Sequence, residues 1–127
     1  MGRRFLLAGG LLAAIAVTLG AFGAHALTGL VTESRLATWQ TGVEYHLFHA
    51  AGLILVGLTI NAYPGKKWLY RCGWLMLFGT IVFSGTLYAL VLLDKSWLGA
   101  VTPLGGTALI ASWLLYVIGL MGTGDSE

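Results

Sequence analysis

Charged residues are scarce in this 127-residue sequence. Lys, Arg, Asp and Glu together make up 9% of the residues, against 57% for the hydrophobic residues. A soluble domain carries roughly a quarter charged residues, so the scarcity excludes a soluble protein and predicts an integral membrane protein. The formal net charge of +2 is too small to indicate a nucleic-acid-binding protein.

Cysteine and proline are also scarce. The single cysteine, Cys72, excludes an internal disulfide, a four-cysteine zinc site and a CxxCH haem attachment. The two prolines, Pro64 and Pro103, stand where one helix is expected to end and another to begin. The sequence also lacks a P-loop pattern and a nucleophile–base pair of recognisable spacing, so we do not expect a nucleotide-binding protein or an enzyme.

Long apolar runs are what the sequence has instead. They predict four helices, at about residues 5–27, 41–61, 68–93 and 102–121. Each run is long enough to cross a bilayer, which takes about 20 residues. The predicted fold class is all-α integral membrane, a four-helix transmembrane bundle forming one domain over residues 1–127, with a short polar tail. The first run is longer than the roughly 7–15 apolar residues of a secretory signal, so we expect it to be retained.

Lys and Arg are divided unevenly between the two ends of the predicted bundle. One end carries Arg3, Arg4, Lys66, Lys67 and Arg71, and the other carries Arg35 and Lys95. The positive-inside rule therefore predicts that both termini face the cytoplasm. Trp39 and Trp97 are then expected at the opposite interface as aromatic anchors.

The stretch from Thr41 to Ala50 carries polar residues that a membrane span does not explain. Thr41 and Glu44 fit a capping box, which predicts that the second helix starts there. His46 and His49 are three residues apart, so about 60° separates them on the helix and they share a face. Ionisable groups in a span are costly unless paired, so they mark a candidate site.

The predicted orientation gathers polar residues from all four helices in the outer leaflet. The predicted cluster and possible ligand-binding site contains His25, Glu44, Tyr45, His46, His49, Ser84, Tyr88 and Thr102. A connection of about a dozen residues makes the first two helices antiparallel neighbours, so His25, His46 and His49 are expected to converge. Imidazole suits zinc, copper or haem iron, which makes these three histidines candidate metal ligands, although the sequence does not identify a cofactor.

Four motifs resemble one known family along essentially the whole chain. They are Leu19-Gly-Ala-Phe-Gly-Ala-His-Ala-Leu27, Thr41-Gly-Val-Glu-Tyr-His-Leu-Phe-His-Ala50, Phe83-Ser-Gly-Thr-Leu-Tyr88 and Thr102-Pro-Leu-Gly-Gly106. The chain resembles the family of unknown function numbered 423, small bacterial membrane proteins related to the animal transmembrane protein 256 family. The resemblance implies a four-span protein of the bacterial plasma membrane and brings no established catalytic residues or cofactor.

Small residues recur every fourth position in the first helix, at Ala16, Gly20 and Ala24. Such stripes let membrane helices approach closely, either inside the bundle or against another protein. The leading hypothesis is a structural or binding protein, an accessory or partner-binding subunit whose polar cluster fixes helix packing. Metal or haem binding is an alternative, and lipid or quinone binding or ion conduction by an oligomer is a second. Expected partners are the lipid bilayer and another membrane protein or a second copy of the chain, with no nucleic acid.

Overall fold

Long helices make up nearly all of the part of the chain that the structure describes. The structure, a computed structural model, describes residues 1–122, so the predicted polar tail from residue 123 onward lies outside the described residues. The helices are α1 (Arg3–Phe22, prolonged by the π-helical turn Gly23–Leu27), α2 (Glu33–Ala62), α3 (Lys67–Leu93) and α4 (Thr102–Met121). All four are long and apolar enough to cross a membrane. The predicted all-α, four-helix transmembrane fold is confirmed.

Consecutive helices pack against each other, with α2 and α3 in the centre of the bundle and more buried than α1 and α4. At one end, the Gly2 amide donates to the Asn61 side-chain oxygen over 2.9 Å. At the same end Gly119 of α4 packs on Leu69 of α3. The start of α1, the α2–α3 connection and the end of α4 therefore lie together. This end carries the larger group of basic residues.

Glycine makes the close helix packing possible. A Cβ on Gly105 of α4 would lie 2.9 Å from the carbonyl oxygen of Gly79 on α3, which is too close for any side chain. Small residues of this kind let membrane helices approach through their backbones. A Cβ on Gly10 or on Gly85, by contrast, would meet nothing within 4 Å. Packing inside the bundle thus accounts for most glycines of the described helices.

The second helix begins at Glu33, eight residues earlier than the predicted start at Thr41. The Thr32 hydroxyl caps it by accepting a hydrogen bond from the Arg35 amide over 3.2 Å. Polar residues in this first part of α2 suggested a loop, but they are compatible with a helix that extends beyond the hydrocarbon. This end of the bundle, opposite to the start of α1, is named the outer end after its predicted orientation. The Arg35 guanidinium ties it to Asp94 after α3, at 3.0 Å.

The capping box predicted at Thr41 and Glu44 is wrong. The Thr41 hydroxyl donates instead to the Ala37 carbonyl one turn earlier, over 3.1 Å, inside a continuous helix. The correction also changes the depth of the polar residues. His46 and His49 lie near the middle of α2, not in its outer part as predicted.

Trp39 was predicted to anchor the outer interface, and this prediction is wrong. Its side chain is buried, and the indole N–H donates to the Leu19 carbonyl of α1 over 2.9 Å. Gly23 makes room for the ring, since a Cβ there would lie 2.5 Å from the indole Cδ1. Trp97, in the short 3₁₀ turn Ser96–Ala100, is exposed at the outer end.

Two apolar clusters form the core. The larger, toward the chain termini, contains Phe5, Leu53, Val56, Ile60, Leu69, Cys72, Met76 and Leu109. The smaller, toward the outer end, contains Leu27, Trp39, Leu90 and Val91. Between these clusters, residues 42–49 of α2 face residues 80–88 of α3. Polar side chains concentrate in this middle layer.

Candidate binding site

The middle layer joins helices through side-chain hydrogen bonds. The buried Ser84 hydroxyl of α3 donates to the Gly42 carbonyl of α2 over 2.7 Å. The hydroxyls of Thr86 on α3 and Thr102 on α4 lie 2.7 Å apart. Buried polar groups need such partners, because an unpaired one in hydrocarbon is costly. The structure therefore brings Ser84 and Thr102, two predicted site residues, into contacts that fix how the helices pair.

His49 has a partner for both ring nitrogens. Nδ1 lies 2.8 Å from the Tyr45 carbonyl, which can only accept, so Nδ1 carries a proton. The Trp113 indole N–H of α4 donates to Nε2 over 3.0 Å, so Nε2 carries none. These bonds define a neutral imidazole with one tautomer. Neither nitrogen has a free lone pair for a metal ion.

His46 is buried as deeply but has a partner for one nitrogen alone. Its side chain is 4% exposed, and Nδ1 lies 2.8 Å from the Tyr88 hydroxyl of α3. Nε2 is buried and has no hydrogen-bond partner among the described residues. The Leu12 carbonyl of α1 lies beside the ring, but its geometry does not form a hydrogen bond with Nε2.

His25 lies apart from the other two histidines. It is exposed, in the π-helical turn that ends α1. Gly23, two residues before it, packs on Trp39 of α2, and seven residues separate Trp39 from His46, or about 10 Å along the helix. The three imidazoles therefore do not converge as predicted. Within residues 1–122 no three His, Cys, Asp or Glu side chains are grouped so that they could hold a metal ion.

A cleft of about 780 Å³ opens between α2 and α4 on the side of His49. It is lined by Glu44, Tyr45, Phe48, His49, Phe83, Pro103, Gly106, Thr107, Leu109, Ile110 and Trp113. The rings of Tyr45 and Phe83 are stacked with centroids 4.7 Å apart. The hydrogen-bonded pair of His49 and Trp113 joins α2 to α4 along the wall of this cleft. Its volume falls within the roughly 300–1,000 Å³ of small-molecule sites.

Glu44 is an exposed residue that lines this cleft. It has no hydrogen bond or ion pair with any of the residues that the structure describes, in contrast to Arg35 and Asp94 at the outer end. Nine residues separate Glu44 from Arg35, which places Glu44 roughly 13 Å further along α2. An ionisable group at such depth is a functional-site candidate by default.

The start of α4 is offset from the end of α3. Thr102, the first residue of α4, bonds to Thr86, seven residues before Leu93 at the end of α3. Helix α4 therefore begins about 10 Å deeper in the bundle than α3 ends. The 3₁₀ turn Ser96–Ala100 spans this offset.

Trp113 and Phe83 are site residues that the predicted cluster did not include. Trp113 lies inside an apolar run, where its ring suggests packing alone. Its indole N–H nevertheless requires an acceptor in hydrocarbon, and His49 is that acceptor. This requirement is the sequence signal for the pair. The position of Phe83 under Tyr45 depends on how α3 rotates against α2, and the sequence carries no comparable signal for it.

Comparison with known proteins places the chain among uncharacterised membrane proteins. The family model described as a protein of unknown function (DUF423) matches residues 19–106. The UPF0382 membrane protein YwdK of Bacillus subtilis is 46% identical over 114 residues, covering 90% of this chain and 93% of the relative. The UPF0382 membrane protein SH2409 of Staphylococcus haemolyticus is 39% identical over 115 residues, covering 90% of this chain and 92% of that relative. No solved structure matches the chain.

Proposed function

Because the chain belongs to the DUF423 family of proteins of unknown function, we propose its role from its own geometry: it binds an amphiphile in the α2–α4 cleft. The occupant has an apolar body and an amine head group. The observation that carries the proposal is the Glu44 carboxylate, which lines the cleft and has no partner among the described residues.

The walls of the cleft define the body of the occupant. Apart from Glu44, Thr107 and the paired His49, the side chains that line it are apolar or aromatic. The Thr107 hydroxyl already donates to the Pro103 carbonyl over 2.8 Å. An acyl or prenyl chain therefore fits the apolar walls of the cleft. Lipid chains in the bilayer supply such a body directly.

Glu44 defines the head group. A carboxylate in a partly apolar site is stabilised by a cation or by strong hydrogen-bond donors. An ammonium group supplies both. The offset between the end of α3 and the start of α4 is the proposed route of such a head group from the outer surface. A phospholipid with an ethanolamine head combines these features.

The alternative roles draw less support from the geometry. The small-residue faces that suggested a protein partner are mostly used inside the bundle. The accessory-subunit role and the homo-oligomer remain predictions. The metal or haem role depended on the convergence of three histidines, which the structure does not show.

Orientation follows from the distribution of basic residues. The end with Arg3, Lys67 and Arg71 is proposed to face the cytoplasm of a bacterial plasma membrane, so the cleft opens on the outer side. A cysteine-reactive, membrane-impermeant reagent applied to intact cells tests this. Lys95→Cys should react and Lys67→Cys should not, and the reverse pattern would invert the proposed topology.

The proposed function is tested by lipid binding to the purified protein. Native mass spectrometry after exchange with dioleoyl phosphatidylethanolamine or dioleoyl phosphatidylglycerol should show retention of the ethanolamine lipid. Glu44→Gln should weaken this retention about tenfold, the loss of roughly one charge-assisted hydrogen bond. Glu33→Gln is the matched control, a carboxylate in the first turn of the same helix and outside the cleft. Equal retention of both lipids, or no effect of Glu44→Gln, would refute the proposal.

A further inference from the structure

We propose a second binding site beside a neighbouring face of α2, a groove between α1 and α3 where the His46 Nε2–H donates to the carbonyl oxygen of a quinone-like ring. This site is independent of the α2–α4 cleft, because it involves a different face of α2 and none of the residues that line the cleft. It assigns a role to the buried nitrogen of His46.

The groove is a separate cavity of about 200 Å³. Its walls are Leu12, Ile15 and Leu19 of α1, His46 of α2, and Thr80, Ile81, Ser84, Gly85 and Tyr88 of α3. The volume is several times the roughly 30 Å³ that one water molecule takes up in the liquid. It therefore admits a single substituted ring. Gly85 keeps the rim open, since a Cβ there would meet nothing within 4 Å.

Either tautomer of His46 leaves one donor unpaired, the Tyr88 phenol or Nε2–H, and the proposal takes the tautomer that pairs the phenol. The Tyr88 hydroxyl has no other hydrogen-bond partner among residues 1–122 than His46 Nδ1. If Nδ1 carried the proton, the phenolic hydrogen would be left without an acceptor in the interior. The arrangement that pairs the phenol has Tyr88 donating to Nδ1, which leaves Nε2 protonated. Nε2–H is then a buried donor without a partner.

The other polar side chains of the groove have already donated their protons. The Thr80 hydroxyl donates to the Met76 carbonyl over 2.8 Å, and the Ser84 hydroxyl donates to the Gly42 carbonyl over 2.7 Å. His46 therefore carries the one side-chain donor that remains unpaired among the residues lining this cavity. Its Nε2 atom is covered by neighbouring side chains, so a ligand reaches it when these side chains move. The occupant must present an acceptor oxygen on an otherwise apolar body, which describes a carbonyl and does not describe an amine or a phosphate.

Depth distinguishes between the carbonyl compounds of a membrane. His46 is near the middle of α2, and α1 continues eight residues beyond Leu19, the outermost α1 residue of the groove. The site thus lies roughly 12 Å or more below the outer end of α1. The ester carbonyls of phospholipids stay at the membrane interface, whereas the ring of a prenylated quinone enters the hydrocarbon. The geometry therefore favours the quinone ring, with its chain leaving the groove into lipid.

The test uses decylubiquinone as the probe and decylbenzene, which has no oxygen, as the comparison compound. The full chain is purified in detergent with ¹⁵N-labelled histidine, and the three histidines are assigned by single substitutions. Decylubiquinone should shift the His46 Nε2 resonance in a saturable manner and leave the His25 and His49 resonances in place. Decylbenzene should bind at least about tenfold more weakly, because the hydrogen bond is missing.

Two substitutions separate loss of the site from loss of the fold. Gly85→Leu fills the rim of the groove at a position with open space, and should weaken decylubiquinone binding about tenfold or more. Gly10→Leu is the matched control, a helical glycine with equal free space outside the groove. It should leave binding within about twofold. The same affinity for both compounds, normal binding by Gly85→Leu, or an Nε2–H bonded permanently to the Leu12 carbonyl would each overturn the proposal.

Discussion

His46 and His49 are three residues apart on one helix and are equally buried, yet their surroundings differ in hydrogen bonding. His49 faces α4, where Trp113 donates to the nitrogen that the Tyr45 carbonyl leaves free. His46 faces α1 and α3, where Tyr88 satisfies one nitrogen and leaves the other unpaired. A histidine with both ring nitrogens hydrogen-bonded fixes the packing of two helices. A histidine with one unpaired nitrogen has a donor left for a ligand.

The two faces of α2 also differ in access from the membrane surface. On the His49 side, α4 begins deeper in the bundle than α3 ends, and this offset is the proposed route of a head group to Glu44. On the His46 side, α1 continues well past the groove toward the outer surface. One side therefore suits an amphiphile with a charged head. The other suits a ring that travels within the hydrocarbon.

The largest expected difference between the two histidines is in how much stability the protein loses when each is replaced by phenylalanine. His49→Phe leaves the Trp113 indole N–H without its acceptor inside the bundle, and should destabilise the protein by about 1–2 kcal/mol. His46→Phe removes an unpaired donor while it unpairs the Tyr88 hydroxyl, so gain and loss partly cancel. It should cost roughly half as much or less. Thermal unfolding in detergent, followed by circular dichroism, measures both.

A double substitution controls for packing differences. In the His49→Phe background, Trp113→Phe removes a donor that has already lost its acceptor. The second change should therefore cost less than it does alone, which is the non-additivity expected of a direct contact. Two results would contradict the proposed difference in hydrogen bonding. One is additive losses in the free energy of unfolding, and the other is an equal loss for His46→Phe and His49→Phe.

The sequence predicted the four spans and most of the residues that meet in the polar layer. Apolar run lengths determine the spans, and these are close to the described helices at α1, α3 and α4. The start of α2 was misplaced because polar residues such as Glu33 and Arg35 are compatible both with a loop and with a helix that leaves the bilayer. That error put His46 and His49 too near the outer surface, and thus too near His25.

Sequence spacing was a poor guide to which neighbours the two histidines meet. A separation of three residues places them about 60° apart, which is one face of α2 by periodicity. A central helix has a neighbour on each side of that face, and 60° is enough to turn one side chain toward α4 and the other toward α1. The assignment depends on the rotation of α2 within the bundle. Glycine contacts such as Gly42 against Tyr88 set that rotation, and they are known from the three-dimensional packing alone.

The smallest expected effect is the position of one proton. The bonds of His49 place its hydrogen on Nδ1, because the Tyr45 carbonyl must receive a donor and the Trp113 N–H must find an acceptor. In the proposed groove, Tyr88 donates to Nδ1 of His46, which puts the hydrogen of this histidine on Nε2. Two histidines of one helix should therefore show opposite tautomers, and ¹⁵N spectra of histidine-labelled protein without any ligand distinguish them. Tyr88→Phe removes the phenol that holds the His46 tautomer, so its population should shift toward Nδ1–H while His49 stays unchanged. If both histidines carried the proton on the same nitrogen, the unpaired donor would disappear from the α1–α3 groove. The quinone-like ligand would then have no hydrogen bond to accept.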